Sequence, residues 1–126
     1  MQVIPVNLGE RSYDIIIDRG ILYRMGDLIR PLTAGKAFVI TDTNVGPLYA
    51  PRVLEALQGV GIRCELLTLP AGEPTKAFGT LPGIYERMAA FGLTRRDLVL
   101  TLGGGVIGDL GGFAAASYLR GVPFVQ

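Results

Sequence analysis

From residue 37 onward the chain repeats one pattern: a short run apolar at nearly every position, a turn, then a stretch whose apolar residues recur at helical spacing. Strands that are apolar on both sides are covered on both sides, and intervening helices supply the cover, so the pattern predicts an α/β fold around a parallel sheet. The strand runs are Ala37-Phe38-Val39-Ile40, Cys64 to Leu69, Leu98-Val99-Leu100-Thr101-Leu102 and Val122 to Val125. Between them, Leu48, Val53, Leu54 and Leu57 share one helix face that closes on Gly59. Ile84, Tyr85, Met88 and Ala89 share another, in a helix ending near Gly92, with Thr80 as its N-cap and Pro82 in its first turn. Val106 to Leu119 reads as a helix of small residues.

Ahead of this alternation, residues 2 to 8 and 12 to 18 are β-rich runs separated by Gly9-Glu10-Arg11, a hairpin expected to edge a sheet. Ile21, Leu22, Met25, Leu28 and Ile29 then recur at helical spacing from Gly20 to Leu32, and Pro31 ends that helix. The expected fold is Rossmann-like: an open, mainly parallel sheet with helices on both faces and an N-terminal β-hairpin, residues 1–126 forming one domain.

Composition narrows the function. With 49% hydrophobic and 18% charged residues the chain is not disordered, and twelve basic against eleven acidic residues leave a net charge of +1. Neither nucleic acid nor a membrane surface is an expected partner. No apolar run approaches a membrane span, and the first twenty residues lack the basic and apolar regions of an export signal. The single cysteine, Cys64, reads as a strand residue in a reducing compartment, so the cytoplasm is the expected location. Histidine is absent, which removes the usual catalytic zinc site and any histidine relay. The terminal run Gly121-Val122-Pro123-Phe124-Val125-Gln126 reads as a strand just beginning, so a fragment of a longer protein is expected.

If the strands are parallel, right-handed crossovers bring every strand-to-helix turn to the same edge of the sheet, where open α/β folds bind ligands. The polar residues fall in those turns: Asp42-Thr43-Asn44 after the first strand, Gly72-Glu73-Pro74-Thr75-Lys76 after the second, Gly103-Gly104-Gly105-Val106-Ile107-Gly108-Asp109 after the third. Three glycines after a strand let the backbone approach a ligand closely, and the free N–H groups opening the next helix suit a phosphate or diphosphate. Gly103-x-Gly105-x-x-Gly108 matches the dinucleotide fingerprint as a string, although no acidic residue follows at the usual distance to take a ribose.

Each of these residues has a plainer reading. The glycines could serve close helix–strand packing; Gly111 and Gly112 extend that small surface. Asp109 falls in the first turn of its helix, where the dipole favours a carboxylate. It is also the only ionised side chain between Asp97 and Arg120, which favours a ligand-facing role. Asp42 and Asn44 could be an Asx turn and helix cap, or Asp42 could accept from ribose hydroxyls. Glu73-x-x-Lys76 could be an i,i+3 ion pair, and Arg120 a cation complementing a helix C-terminus.

Pro70-Ala71-Gly72-Glu73-Pro74-Thr75-Lys76, the segment from Asp97 through the glycines to Ala115, and Ser117-Tyr118-Leu119-Arg120-Gly121-Val122-Pro123, in that order and spacing, resemble the N-terminal domain of the 3-dehydroquinate synthase family. The resemblance implies a lyase of the shikimate pathway that converts 3-deoxy-D-arabino-heptulosonate 7-phosphate to 3-dehydroquinate and phosphate, with NAD transiently reduced and recycled. It implies that Asp42 and Asn44 bind the adenosine side of NAD, and that Gly72, Glu73 and Lys76 add ribose and phosphate contacts. Gly104, Gly105 and Val106 would cradle the diphosphate, with Gly108 in the same cofactor-binding set, and Asp109 would reach toward the nicotinamide. Arg120 would contact substrate, in the site of the neighbouring subunit of a homodimer. The family's zinc or cobalt ligands, a Glu and two His, and its C-terminal helical domain are expected beyond residue 126. A fragment limited to these residues is expected to be inactive. The competing readings are a metal-dependent alcohol or glycerol dehydrogenase, a related sugar-phosphate cyclase, and a noncatalytic nucleotide-binding module.

Overall fold

The apolar run Ala37-Phe38-Val39-Ile40 lies at the centre of the sheet in the computed structural model, which describes residues 1–126. Strands β1 (Gln2–Val6) and β2 (Tyr13–Ile17) come first, and β3 (Lys36–Asp42) follows. β3 pairs in parallel with β4 (Arg63–Leu69) on one side and with β5 (Leu98–Thr101) on the other. The two-residue β6 (Phe124–Val125) continues the sheet beyond β5, giving the order β4-β3-β5-β6.

Successive residues of β3 and β5 point to opposite faces, and each face has its own core. Ala37, Val39, Leu98 and Leu100 pack with Ile29 of α1 (Met25–Ile29), with Val53 and Leu57 of α2 (Gly46–Gln58), and with Ile62. Phe38, Ile40 and Val99 pack on the other side with Ile84 and Met88 of α3 (Leu81–Phe91) and with Ile107, Leu110 and Ala114 of α4 (Gly105–Ser117). Phe38, Ile40, Val53, Leu57, Ile84 and Met88 are completely buried, each worth about 1.5–3 kcal/mol relative to exposure. The parallel sheet with helices on both faces is therefore as the sequence predicts.

The connections set the position of a crevice. From β3 the chain leaves through α2 to β4; from β5 it leaves through α4, on the opposite face, to β6. The carboxyl ends of the adjacent strands β3 and β5 thus form a topological switch point, the place where open α/β sheets admit ligands.

Four local expectations are corrected. The hairpin does not edge the main sheet: β1 and β2 pair only with each other, from Gln2↔Ile17 to Val6↔Tyr13. The chain between the hairpin and β3 is taken up by α1 and its flanking 3-10 turns, and α1 packs on α2, where Gly26 lies against the Ala56 carbonyl. The helix expected from Gly20 to Leu32 is broken into 3-10 turns at Ile21–Arg24 and Arg30–Leu32 around the five-residue α1. Gly20 and Gly26 weaken the helix, and Pro31 removes a donor. Thr80 makes no side-chain cap; its hydroxyl donates instead to the Thr75 carbonyl at 2.7 Å. α4 stops at Ser117 rather than Leu119, because Leu119 and Arg120 both take left-handed backbone, with φ of 50° and 63°. No helix is long and apolar enough to cross a membrane.

Candidate functional site

Strand register places the three polar turns on one rim. Asp42 pairs with Leu69 at the ends of β3 and β4, and Ile40 with Thr101 at the end of β5. Beyond the strands, hydrogen bonds hold the turns together. The Thr43 N–H donates to the Leu69 carbonyl at 3.0 Å, and the Ala71 N–H donates to the Thr43 hydroxyl at 3.1 Å. The Thr41 hydroxyl donates to the Leu102 carbonyl at 2.7 Å. Lys76, in the turn after β4, donates to Asp109 Oδ2 of α4 at 2.7 Å. Residues 42, 73 and 105 therefore share one margin of the fold.

The glycine turn joins β5 to α4. A Cβ at Gly103 would press on Ile107 at 3.2 Å, so that glycine serves packing; at Gly104 and Gly105 it would meet nothing within 4 Å. Packing does not require those two glycines, whose exposed main chain faces open space. α4 begins at Gly105 with no side-chain cap, and its first carbonyl-to-amide bond runs from the Gly108 N–H to the Gly104 carbonyl at 3.0 Å. The amides of Gly105, Val106 and Ile107 have no intrahelical partner, and with the helix dipole they make a positive, anion-receptive end. Just before the turn, the buried Thr101 hydroxyl has no hydrogen-bond partner. An anionic group fits this end of the helix.

The remaining glycines of α4 do different work. Gly108 is buried, with the Gln126 side chain over it, behind the open rim formed by Gly104 and Gly105. At Gly111 a Cβ would overlap the Thr101 methyl; its absence lets α4 lie close on β5.

Asp109 is the fifth residue of α4, not part of its first turn, so dipole capping does not account for it. Its exposed carboxylate sits across from Lys76 on a groove of about 400 Å³ walled by Phe78, Leu81, Leu110 and Phe113. The hydrogen bond to Asp109 and its charge, with a smaller contribution from Glu73, raise the Lys76 pKa above its ordinary value. Lys76 thus pairs with Asp109 and not with Glu73, which makes no ion pair. Gly72 starts its turn at φ +115°, a conformation that side chains rarely adopt.

Asp42 does form the Asx turn: its Oδ1 accepts from the Asn44 N–H at 2.9 Å and the Val45 N–H at 2.7 Å. Its Oδ2 makes no hydrogen bond within the chain, and Asn44 beside it is exposed. Arg120 is not brought to this rim. It lies past the far end of α4, about 20 Å away by the rise of a thirteen-residue helix.

Sequence reasoning missed Thr41, Thr43 and the aromatic pair Phe78 and Phe113, whose rings meet edge to face at 6.2 Å on the groove. A hydroxyl ending an otherwise apolar strand was the available signal for Thr41. Nothing local marks Phe78, which is 81% exposed. No group of three or more His, Cys, Asp or Glu side chains is placed to hold a metal ion.

An open parallel sheet with its switch point at an uncapped, glycine-led helix defines a Rossmann-like α/β domain with an anion-receptive rim. Residues 66–126 match the family model described as 3-dehydroquinate synthase N-terminal. Over its whole length it is 51% identical to the 3-dehydroquinate synthase of Clostridium beijerinckii and 43% identical to that of Caulobacter vibrioides, covering 36% and 35% of those proteins. The chain therefore spans little more than a third of the length of the curated relatives it matches. Among solved structures, 2-epi-5-epi-valiolone synthase from Streptomyces hygroscopicus, with NAD+ and Zn2+ bound, is 31% identical at a TM-score of 0.78, covering 94% of this chain and 33% of that one. A 2-deoxy-scyllo-inosose synthase, at 23% identity and a TM-score of 0.86 over 98% of this chain and 35% of that one, shares the fold.

Proposed function

We propose that residues 1–126 are the NAD-binding α/β domain of a 3-dehydroquinate synthase, a cytoplasmic enzyme of the shikimate pathway. The observation that carries this reading is the uncapped start of α4, with Gly104 and Gly105 open, on the same rim as Asp42 and Lys76. The amides of Gly105 and Val106 hold the NAD diphosphate, and Asp42 Oδ2 and Asn44 take the adenosine ribose. The turn from Gly72 through Glu73 to Lys76 closes over the ribose and phosphate, and Asp109 faces the nicotinamide end. Bound NAD would supply a reversible hydride acceptor for a substrate carbinol, chemistry that would permit phosphate elimination with no net oxidation.

The substrate is a sugar phosphate, 3-deoxy-D-arabino-heptulosonate 7-phosphate. Arg120, remote from this chain's own rim, serves the substrate site of the neighbouring subunit in a homodimer. The zinc or cobalt ion of the family finds no ligand set among these 126 residues.

A glycerol dehydrogenase from Schizosaccharomyces pombe shares this fold at 19% identity and a TM-score of 0.64, which supports the fold alone and leaves a dehydrogenase as the competing reading. An assay of the protein at its full length with the heptulosonate phosphate separates the two. Phosphate release without accumulating NADH is expected; stoichiometric NADH without phosphate would overturn the proposal. The 126-residue chain alone is expected to release none.

A further inference from the structure

We propose that Thr41 is a positioning residue, whose hydroxyl fixes the glycine turn in the orientation that receives a diphosphate. The proposal rests on reading the rim as an NAD site. The backbone ladder between β3 and β5 ends at the pair Ile40↔Thr101, just before the connections that follow the two strands leave for opposite faces of the sheet. Past that point Leu102 is still held twice: its N–H donates to the Ile40 carbonyl at 2.9 Å, and its carbonyl accepts from the Thr41 hydroxyl at 2.7 Å. The side chain adds a rung where the backbone ladder has stopped.

Next in the chain come Gly103, Gly104 and Gly105, three residues with no side chains by which the fold could orient them. Their direction is inherited from Leu102. Thr41 is itself held firmly, being fully buried, and a Cβ at Gly46 would come to 3.0 Å from its methyl. One side chain thus ties the start of α2, on one face of the sheet, to the turn that opens α4 on the other. A buried hydroxyl costs free energy unless it is bonded, and here its bond goes to the anchor of the glycine turn.

The test is to titrate the 126-residue chain, Thr41→Val and Thr41→Ser with ADP and with adenosine. Valine keeps the branched shape beside Gly46 and removes the donor; serine keeps the donor. ADP affinity is expected to fall about three- to tenfold in Thr41→Val, the range of one lost hydrogen bond, with adenosine affinity unchanged. Thr41→Ser should stay within about twofold of the unsubstituted chain for both ligands. If valine is not accommodated, Thr41→Ala carries the same expectation. Equal loss for ADP and adenosine, or undiminished ADP affinity, would overturn the positioning role. Failure of the unsubstituted chain to bind ADP would overturn the NAD reading as well, and shows before any variant is made.

Discussion

Lys76 and Asp109, thirty-three positions apart in sequence, meet at 2.7 Å across the lip of the groove and join the turn after β4 to α4. Both side chains are substantially exposed, at 46% and 61%, so the pair adds little to folding. Asp109→Asn is therefore expected to leave the melting temperature nearly unchanged while lowering NAD affinity by about threefold or more, the loss of one charge-assisted contact. Calorimetry and a binding titration on the same preparation check this; equal NAD affinity would return Asp109 to a surface role.

The same pair has a definite pH signature. Because the hydrogen bond to Asp109 raises the Lys76 pKa above 10.5, Lys76 keeps its charge up to and beyond that pH, and the bridge is lost on the alkaline side only as pH rises through the higher folded value. Titration of Lys76 by NMR should show the raised midpoint, and Asp109→Asn should bring it back toward the ordinary one.

Two glycines of one helix region are expected to respond in opposite ways. Gly111→Ala forces a Cβ into the Thr101 methyl and should destabilise the fold by about 1–3 kcal/mol, as overpacking does. Gly104→Ala meets no atom within 4 Å and has a negative φ, so it should leave stability nearly unchanged and weaken NAD binding. Urea denaturation and NAD titration of both variants separate packing from ligand approach.

Cys64 should be inert in the folded protein. It is half-buried on β4, and burial pushes its thiol up to about 11, so little thiolate exists near neutral pH. Alkylation at pH 8 is expected to be slow in buffer and fast in denaturant; equal rates would contradict the placement of β4.

The main sheet was legible because its strands are apolar on both faces, a signature that survives without knowing any contact. The segment from Gly20 to Leu32 reads as one helix because its apolar spacing masks Gly26 and Pro31, whose backbone effects break it. The sequence puts Asp109 in the first turn because α4 starts at Gly105, one residue ahead of the expected Val106, within glycines that carry no capping signal of their own. The Asx turn of Asp42 is local, hence readable. The partners Lys76 with Asp109 and Thr41 with Leu102 are not local: they arise from crossovers that bring distant segments to one edge.

The most direct test of the nucleotide site is an amide NMR titration of the 126-residue chain with NAD. Shifts are expected at Gly104, Gly105 and Val106, at residues 42–44 and at residues 72–76, with Val3, Ile15 and Arg120 unmoved. No shift at 104–106, whether NAD binds elsewhere or not at all, would contradict the claim that the open start of α4 holds the diphosphate.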